Sequence, residues 1–180
     1  MGEIKSTLDL VMERTRDMTL SAKEKAGQQN ADLKRRLTGL VQKYEDQAIR
    51  WTEFMEMCND LKEKFGANVE NRMVDEILSR IRVEADNIRC LELLTSHFGI
   101  KIPALKTIQT EFSQALHQEK AGHIEKIKSQ LSDQYDISGS AVNPNIESDP
   151  NWPKKRNAII DRFQTRLDAE KKEILRSLNH

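Results

Sequence analysis

An all-α fold is what the sequence predicts: an elongated antiparallel helical bundle, four long helices plus a short N-terminal helix, with coiled-coil-like packing. Three observations predict it. Between residues 33 and 65 the apolar side chains Leu33, Leu37, Leu40, Tyr44, Ala48, Trp51, Met55, Cys58, Leu61 and Phe65 recur at a mean interval near 3.6, which keeps them on one side of a helix. The 180 residues include only seven Gly and four Pro, too few for the turns of a compact β or α/β domain. Hydrophobic residues make up 37% and charged residues 32%, against roughly 45–50% and 25% in ordinary globular domains, so the core is a narrow aliphatic seam.

Taken in order, Ile4, Leu8, Val11 and Met12 mark one face of a short helix over residues 3–16, an arm reaching to residue 20. The opening Met1-Gly2 with Ser6 also fits the N-myristoylation pattern formally, beside the plainer reading as an ordinary helix start. Ser21 and Glu24 form a capping box that starts the next helix. Residues 22–32 offer only alanines to the stripe and contain Gly27, Gln28, Gln29 and Asn30, which predicts a solvated or frayed stretch. From Leu33 one helix is predicted to run without a break to Phe65, with Gly66 as its left-handed cap.

Asn68 is the candidate N-cap of a third helix over residues 69–98, whose face reads Met73, Val74, Ile77, Leu78, Ile81, Ala85, Ile88, Leu91, Leu94 and Phe98. It is the most apolar of the set, hence the expected innermost helix, and Gly99 ends it. Pro103 opens a fourth helix carrying Leu105, Ile108, Phe112, Leu116, Ile124, Ile127, Leu131 and Tyr135. Its stripe lapses over residues 119–122, which predicts a kink or local exposure there. Ser138-Gly139-Ser140, Asn143-Pro144 and Asp149-Pro150 then mark a linker over residues 137–153. The last helix, over residues 154–180, presents Ile160, Phe163, Leu167, Ile174 and Leu178 to the bundle. The predicted organisation is therefore an arm (1–20), three long helices forming the bundle core (21–136), a flexible linker (137–153) and a C-terminal helix packed on that core (154–180).

Charge narrows the functional classes. Lys and Arg number 29 and Asp and Glu 29, and the first 66 residues carry twelve of each sign. The basic excess typical of nonspecific nucleic-acid binding is absent. Cys58 and Cys90 are the only cysteines. Helices folding back about Ala67 would put Cys58 near Glu76 and Cys90 near Tyr44, too far apart to bridge, so both read as buried free thiols of a reducing compartment. With no secretory leader at the N-terminus and no apolar run of ~18–20 residues, a soluble cytoplasmic protein without a membrane span is expected.

Searching the four histidines, His97, His117, His123 and His180, turns up no H-E-x-x-H and no Glu-x-x-His. Glu119 and His123 stand one turn apart and could share a metal, but an exposed charge pair is the simpler account of that spacing. Ser96 and His97 are neighbours on a helix, where adjacent side chains do not face each other. Glycine loops for phosphate and a G-x-S-x-G elbow are missing. No catalytic, cofactor-binding or metal residue follows from the sequence, and the expectation is a protein without enzyme activity, cofactor or small-molecule substrate.

Two segments remain as candidate partner contacts. Trp152 stands beside Lys154, Lys155 and Arg156, so it can stack on a base while the cations meet phosphate, or else staple the linker to the bundle while the cations are solvated. Basic residues in a first helical turn also oppose the helix dipole and call for a compensating partner. Ile4, Leu8 and Val11 form an apolar face that can pack on the chain's own bundle, on a second copy or in a partner's groove. The opening residues Met1-Gly2-Glu3-Ile4-Lys5-Ser6-Thr7-Leu8-Asp9 resemble the start of small uncharacterised helical proteins from bacteria of the Geobacter–Desulfovibrio kind. That resemblance spans about a tenth of the chain and implies a bacterial cytoplasmic setting, without an activity. The functional expectation is an interaction or scaffold protein acting through self-association or a protein partner, the alternative being auxiliary nucleic-acid association through residues 152–156.

Overall fold

The break between the first two long helices falls where the stripe predicts none. In the computed structural model, which describes residues 21–66 and 68–178, α1 spans Ala22–Glu45 and α2 spans Trp51–Phe65. The predicted single helix over residues 33–65 is thus corrected to two, and Ala48, the one residue bridging the stripe across residues 45–50, is exposed. Gln47 turns the chain with a left-handed φ of 59°. The Ala48 amide donates to the Lys43 carbonyl at 2.9 Å and the Gln47 amide to the Tyr44 carbonyl at 3.1 Å, so the backbone of α1 is closed by its own following residues. The Arg50 amide then donates to Glu53 Oε2 at 2.8 Å and starts α2.

The described chain divides into two compact units, the first ending at Ala67 and the second starting at Asn68. In the first, α2 returns beside α1. Tyr44 meets Trp51 and Phe54 at ring-centroid distances of 6.2 and 5.2 Å, an aromatic corner next to the turn. Leu33, Leu37, Leu40, Val41, Tyr44, Phe54, Cys58 and Leu61 are buried. The capping box forms as the sequence predicts: Ser21 Oγ accepts from the Glu24 amide, and Glu24 accepts from the Ser21 amide at 2.7 Å. Residues 23–31 are solvated, yet α1 continues through them without fraying.

The second unit opens with α3, Val69–Arg80, and here too the predicted helix over residues 69–98 is interrupted. Residues 81–87 leave the helix, α4 covers only Ile88–Glu92, and a π-helical turn follows at Leu93–His97. The side chain of Asn87 holds the break, its Oδ1 accepting from the Arg82 amide at 3.2 Å and its Nδ2 donating to the Arg82 and Ala85 carbonyls at 2.6 and 3.0 Å. Ile88, expected on the apolar face, is 70% exposed as a result. The π turn widens the helix so that the consecutive Leu93 and Leu94 are both buried. Gly99, with φ 62°, then lets the Ile100 amide close on the Leu94 carbonyl at 2.9 Å.

Pro103 opens α5, Pro103–Tyr135, as predicted; the helix continues through residues 119–122, and residues 120–122 show the local exposure that the lapse of the stripe predicts. Within residues 137–153, a 3₁₀ turn forms at Ile146–Ser148 with Ile146 buried. The last helix, α6, spans Trp152–Leu178. It borders α3, α5 and the 3₁₀ turn. The 69–98 segment holds the largest share of the buried residues of the second unit, as its apolar pattern predicts. Where four long helices were expected, the described residues form six, and none of them is a strand. The predicted N-terminal helix and its face Ile4, Leu8 and Val11 lie outside the described residues. Among the described residues no helix is long and apolar enough to cross a membrane. Cys58 and Cys90 are both buried and not joined in a disulfide.

Candidate functional site

The segment singled out in the sequence, Trp152 to Arg156, forms the first turn of α6, and its position is set by Asp149. One carboxylate oxygen of Asp149 accepts from the Asn151 amide at 2.8 Å, and its carbonyl accepts from the Trp152 amide at 3.1 Å. The other carboxylate oxygen lies 2.9 Å from Nε2 of His123 on α5. The Asn151 amide, ahead of His123, holds the Asp149 carboxyl below its ordinary pKa. His123 is 5% exposed and Trp152 2%, and their rings lie 5.6 Å apart with an interplanar angle of 33°. His123 Nδ1 and Trp152 Nε1 are both buried without a hydrogen-bond partner.

This geometry assigns the Trp152 ring to the fold. Buried against His123, it has no open face for a base. Of the three cations beside it, Lys155 reaches Glu119 on α5 at 2.6 Å and Arg156 reaches Glu84 at 2.8 Å, while Lys154 is exposed. Lys155 draws the Glu119 carboxyl below its ordinary pKa, and Glu84 raises Arg156. Glu119 and Glu84 thus provide the compensation that basic residues at a helix N-terminus require. All four ionised groups are substantially exposed, so each pair contributes at most about 1 kcal/mol, and their effect is chiefly to fix the register of α6. Farther along, Glu111 pairs with Arg166 at 2.7 Å and the Phe112 and Phe163 rings meet edge to face, the numbering falling on α6 as it rises on α5.

Glu119 and His123 therefore do not share a ligand: they take separate partners, Lys155 and Asp149. Among the described residues no group of three or more His, Cys, Asp or Glu side chains is placed to hold a metal ion. His123 with Asp149 forms a carboxylate–imidazole pair, but the ring is sealed under Trp152, and such a pair without access for a reactant is a tether between α5 and the start of α6. The sequence carried a sign of this, since His123 falls in register with Phe112, Leu116 and Ile127. The apolar stripe lapses at residues 119–122, where Lys120, Ala121 and Gly122 are exposed, and resumes with a buried polar residue, His123, where it meets the polar start of α6.

A second feature was not anticipated. In the first unit, Gly39 and Leu40 on α1 face Asp60 and Leu61 on α2 across a cleft of about 350 Å³. Its signal in the sequence is a glycine in the middle of a long helix, where alanine would be more stable by roughly 0.5–1 kcal/mol. The chain matches no protein-family model, no curated protein and no solved structure.

Proposed function

We propose that this chain is a non-enzymatic helical interaction protein, its long helices packed antiparallel in coiled-coil fashion, which works by associating with itself or with a protein partner. One observation carries the reading. In the second unit His123 and Asp149 are paired beside the buried Trp152 ring, whereas Tyr135 and Ile137, at the end of α5, leave large apolar surfaces in solvent, Tyr135 at 67%. Size-exclusion chromatography with light scattering, over a range of concentrations, tests it. The expected result is a mass above that of one chain, or a retained protein partner, with Tyr135→Ser/Ile137→Ser abolishing the association. A monomer that retains no partner overturns it. The competing assignment, nucleic-acid association through Trp152, Lys154, Lys155 and Arg156, is served by the same protein: oligonucleotide binding at low salt that disappears when residues 154–156 are all alanine would replace the present reading.

A further inference from the structure

We infer that the cleft between α1 and α2 is a binding site for a small anionic amphiphile, a carboxylate carrying a short aliphatic body. Residue 39 lines the cleft without a side chain: a Cβ built there meets no atom within 4 Å, so the space above it is open. Leu40 and Leu61 form an apolar floor, and Met57 extends it into solvent. Because α2 folds back beside α1 from the turn at Gln47, Arg36 and Lys64 share the end away from the turn and Lys43 stands at the other. Arg36 and Lys43 stand seven positions apart on α1, giving a trough about 10 Å long.

Charge selects the occupant. Three cations and one carboxylate, Asp60, border the trough. Arg36 pairs through Nε with Asp32, 2.9 Å away on its own helix, an exposed pair that offsets part of its charge and leaves Lys64 the stronger attraction at that end. Asp60 sits in the middle and repels an anionic head from there, so the head belongs between Arg36 and Lys64. The aliphatic body then lies over Leu40, Leu61 and Met57 toward the methylene stem of Lys43. A second copy of this chain is a poor occupant, since a two-fold interface would bring six cations and only two carboxylates of the trough together. The volume is that of a small-molecule site.

Calorimetric titration of the full chain with decanoate, below its micellising concentration, is the test. Saturable binding at one site is expected, with decanol and decyltrimethylammonium, which share the chain but not the negative head, weaker by about tenfold or more. Gly39→Leu places a side chain in the trough, its Cβ meeting no atom within 4 Å, and should abolish binding while leaving the helical circular dichroism and the melting transition intact. Lys64→Gln should weaken decanoate by about tenfold and leave decanol unchanged, which keeps the site testable should the leucine variant fail to fold. Equal binding of decanoate and decanol, undiminished binding by Gly39→Leu, or a dimer that Gly39→Leu dissociates would each overturn the assignment. The outcome is independent of association through Tyr135 and Ile137, which neither variant touches.

Discussion

Two breaks interrupt helices that the apolar stripe would carry on, and they are built in opposite ways. At residues 46–50 the turn is closed chiefly by backbone: carbonyls of α1 are capped by following amides, Gln47 adopts a left-handed φ, and the side chains that join in, Asp46 with Gln42 and Glu53 with the Arg50 amide, are exposed. At residues 81–87 the turn is made by a side chain: Asn87 is buried and makes three hydrogen bonds to the Arg82 and Ala85 backbone, with Ile81 and Val83 buried around it. The Val83 amide is further tied to Gln164 of α6 at 3.3 Å. A turn of the first kind tolerates any residue that accepts its φ. One of the second kind depends on a single chemical group.

The sharpest way to break that comparison is at Asn87. Asn87→Leu keeps the volume and removes every hydrogen bond, leaving the Arg82 amide and two carbonyls without partners in a part-buried place. The expected loss is about 2–4 kcal/mol, read as a fall in the urea midpoint at unchanged slope. A loss below about 0.5 kcal/mol would mean that buried Ile81 and Val83 hold the break and Asn87 merely fits it.

The connection from α5 to α6 belongs with Asn87, because a side chain, Asp149, ties it down, and here pH is the lever. The Asn151 amide first and His123 second keep the Asp149 carboxyl lowered in the folded protein. A lowered carboxyl stabilises the fold above its unfolded pKa, near 3.9, and that contribution is lost as pH falls through the folded value. Stability should therefore decline below about pH 4, and Asp149→Asn should flatten this acid limb. Glu24 and Glu119, also lowered, leave a residual slope in that variant. The groups facing the tether are Glu119 and Lys155, so Glu119→Gln is the control that separates their pair from the Asp149 contribution. An acid limb identical in Asp149→Asn and the parent protein would remove Asp149 from the side-chain-held class.

These junctions also show what could be read from the sequence and what could not. Helical class, the capping box at Ser21, the glycine stops at residues 66 and 99 and the proline start at residue 103 were all legible, because each rests on a local preference of the backbone. The breaks were not, because the interval near 3.6 persists across both: Ala48 and Ala85 keep the count while contributing almost no apolar surface. Asp86-Asn87 before Ile88 was the available sign, a pair of residues that favour helix starts over helix interiors. At the α6 N-terminus the residue types were legible and their partners were not. Glu84 and Glu119 lie 72 and 36 positions away from the cations they neutralise, a distance no local pattern spans.

Smaller effects belong to the backbone-made turn. Glu53→Ala removes the acceptor of the Arg50 amide at the start of α2 and should cost about 0.5–1 kcal/mol, visible as a modest drop in melting temperature. If Glu53→Ala is neutral, water caps α2 equally well and the turn is specified from the α1 side alone.

Gln47→Gly gives the smallest change and the opposite sign. At φ 59° a side chain is crowded against its own backbone, and glycine is not. Gln47 is exposed, so shortening it costs little packing. Glycine also gains more freedom in the unfolded chain, which offsets part of the benefit. The balance should favour the variant by about 0.5 kcal/mol in urea unfolding. The same replacement at the other break, Asn87→Gly, relieves no strain, since Asn87 has a φ of −102°, and deletes three hydrogen bonds. One substitution raising stability at residue 47 and lowering it at residue 87 is the signature of a turn made by backbone beside a turn made by a side chain. Two changes of the same sign would mean that the breaks share a mechanism after all.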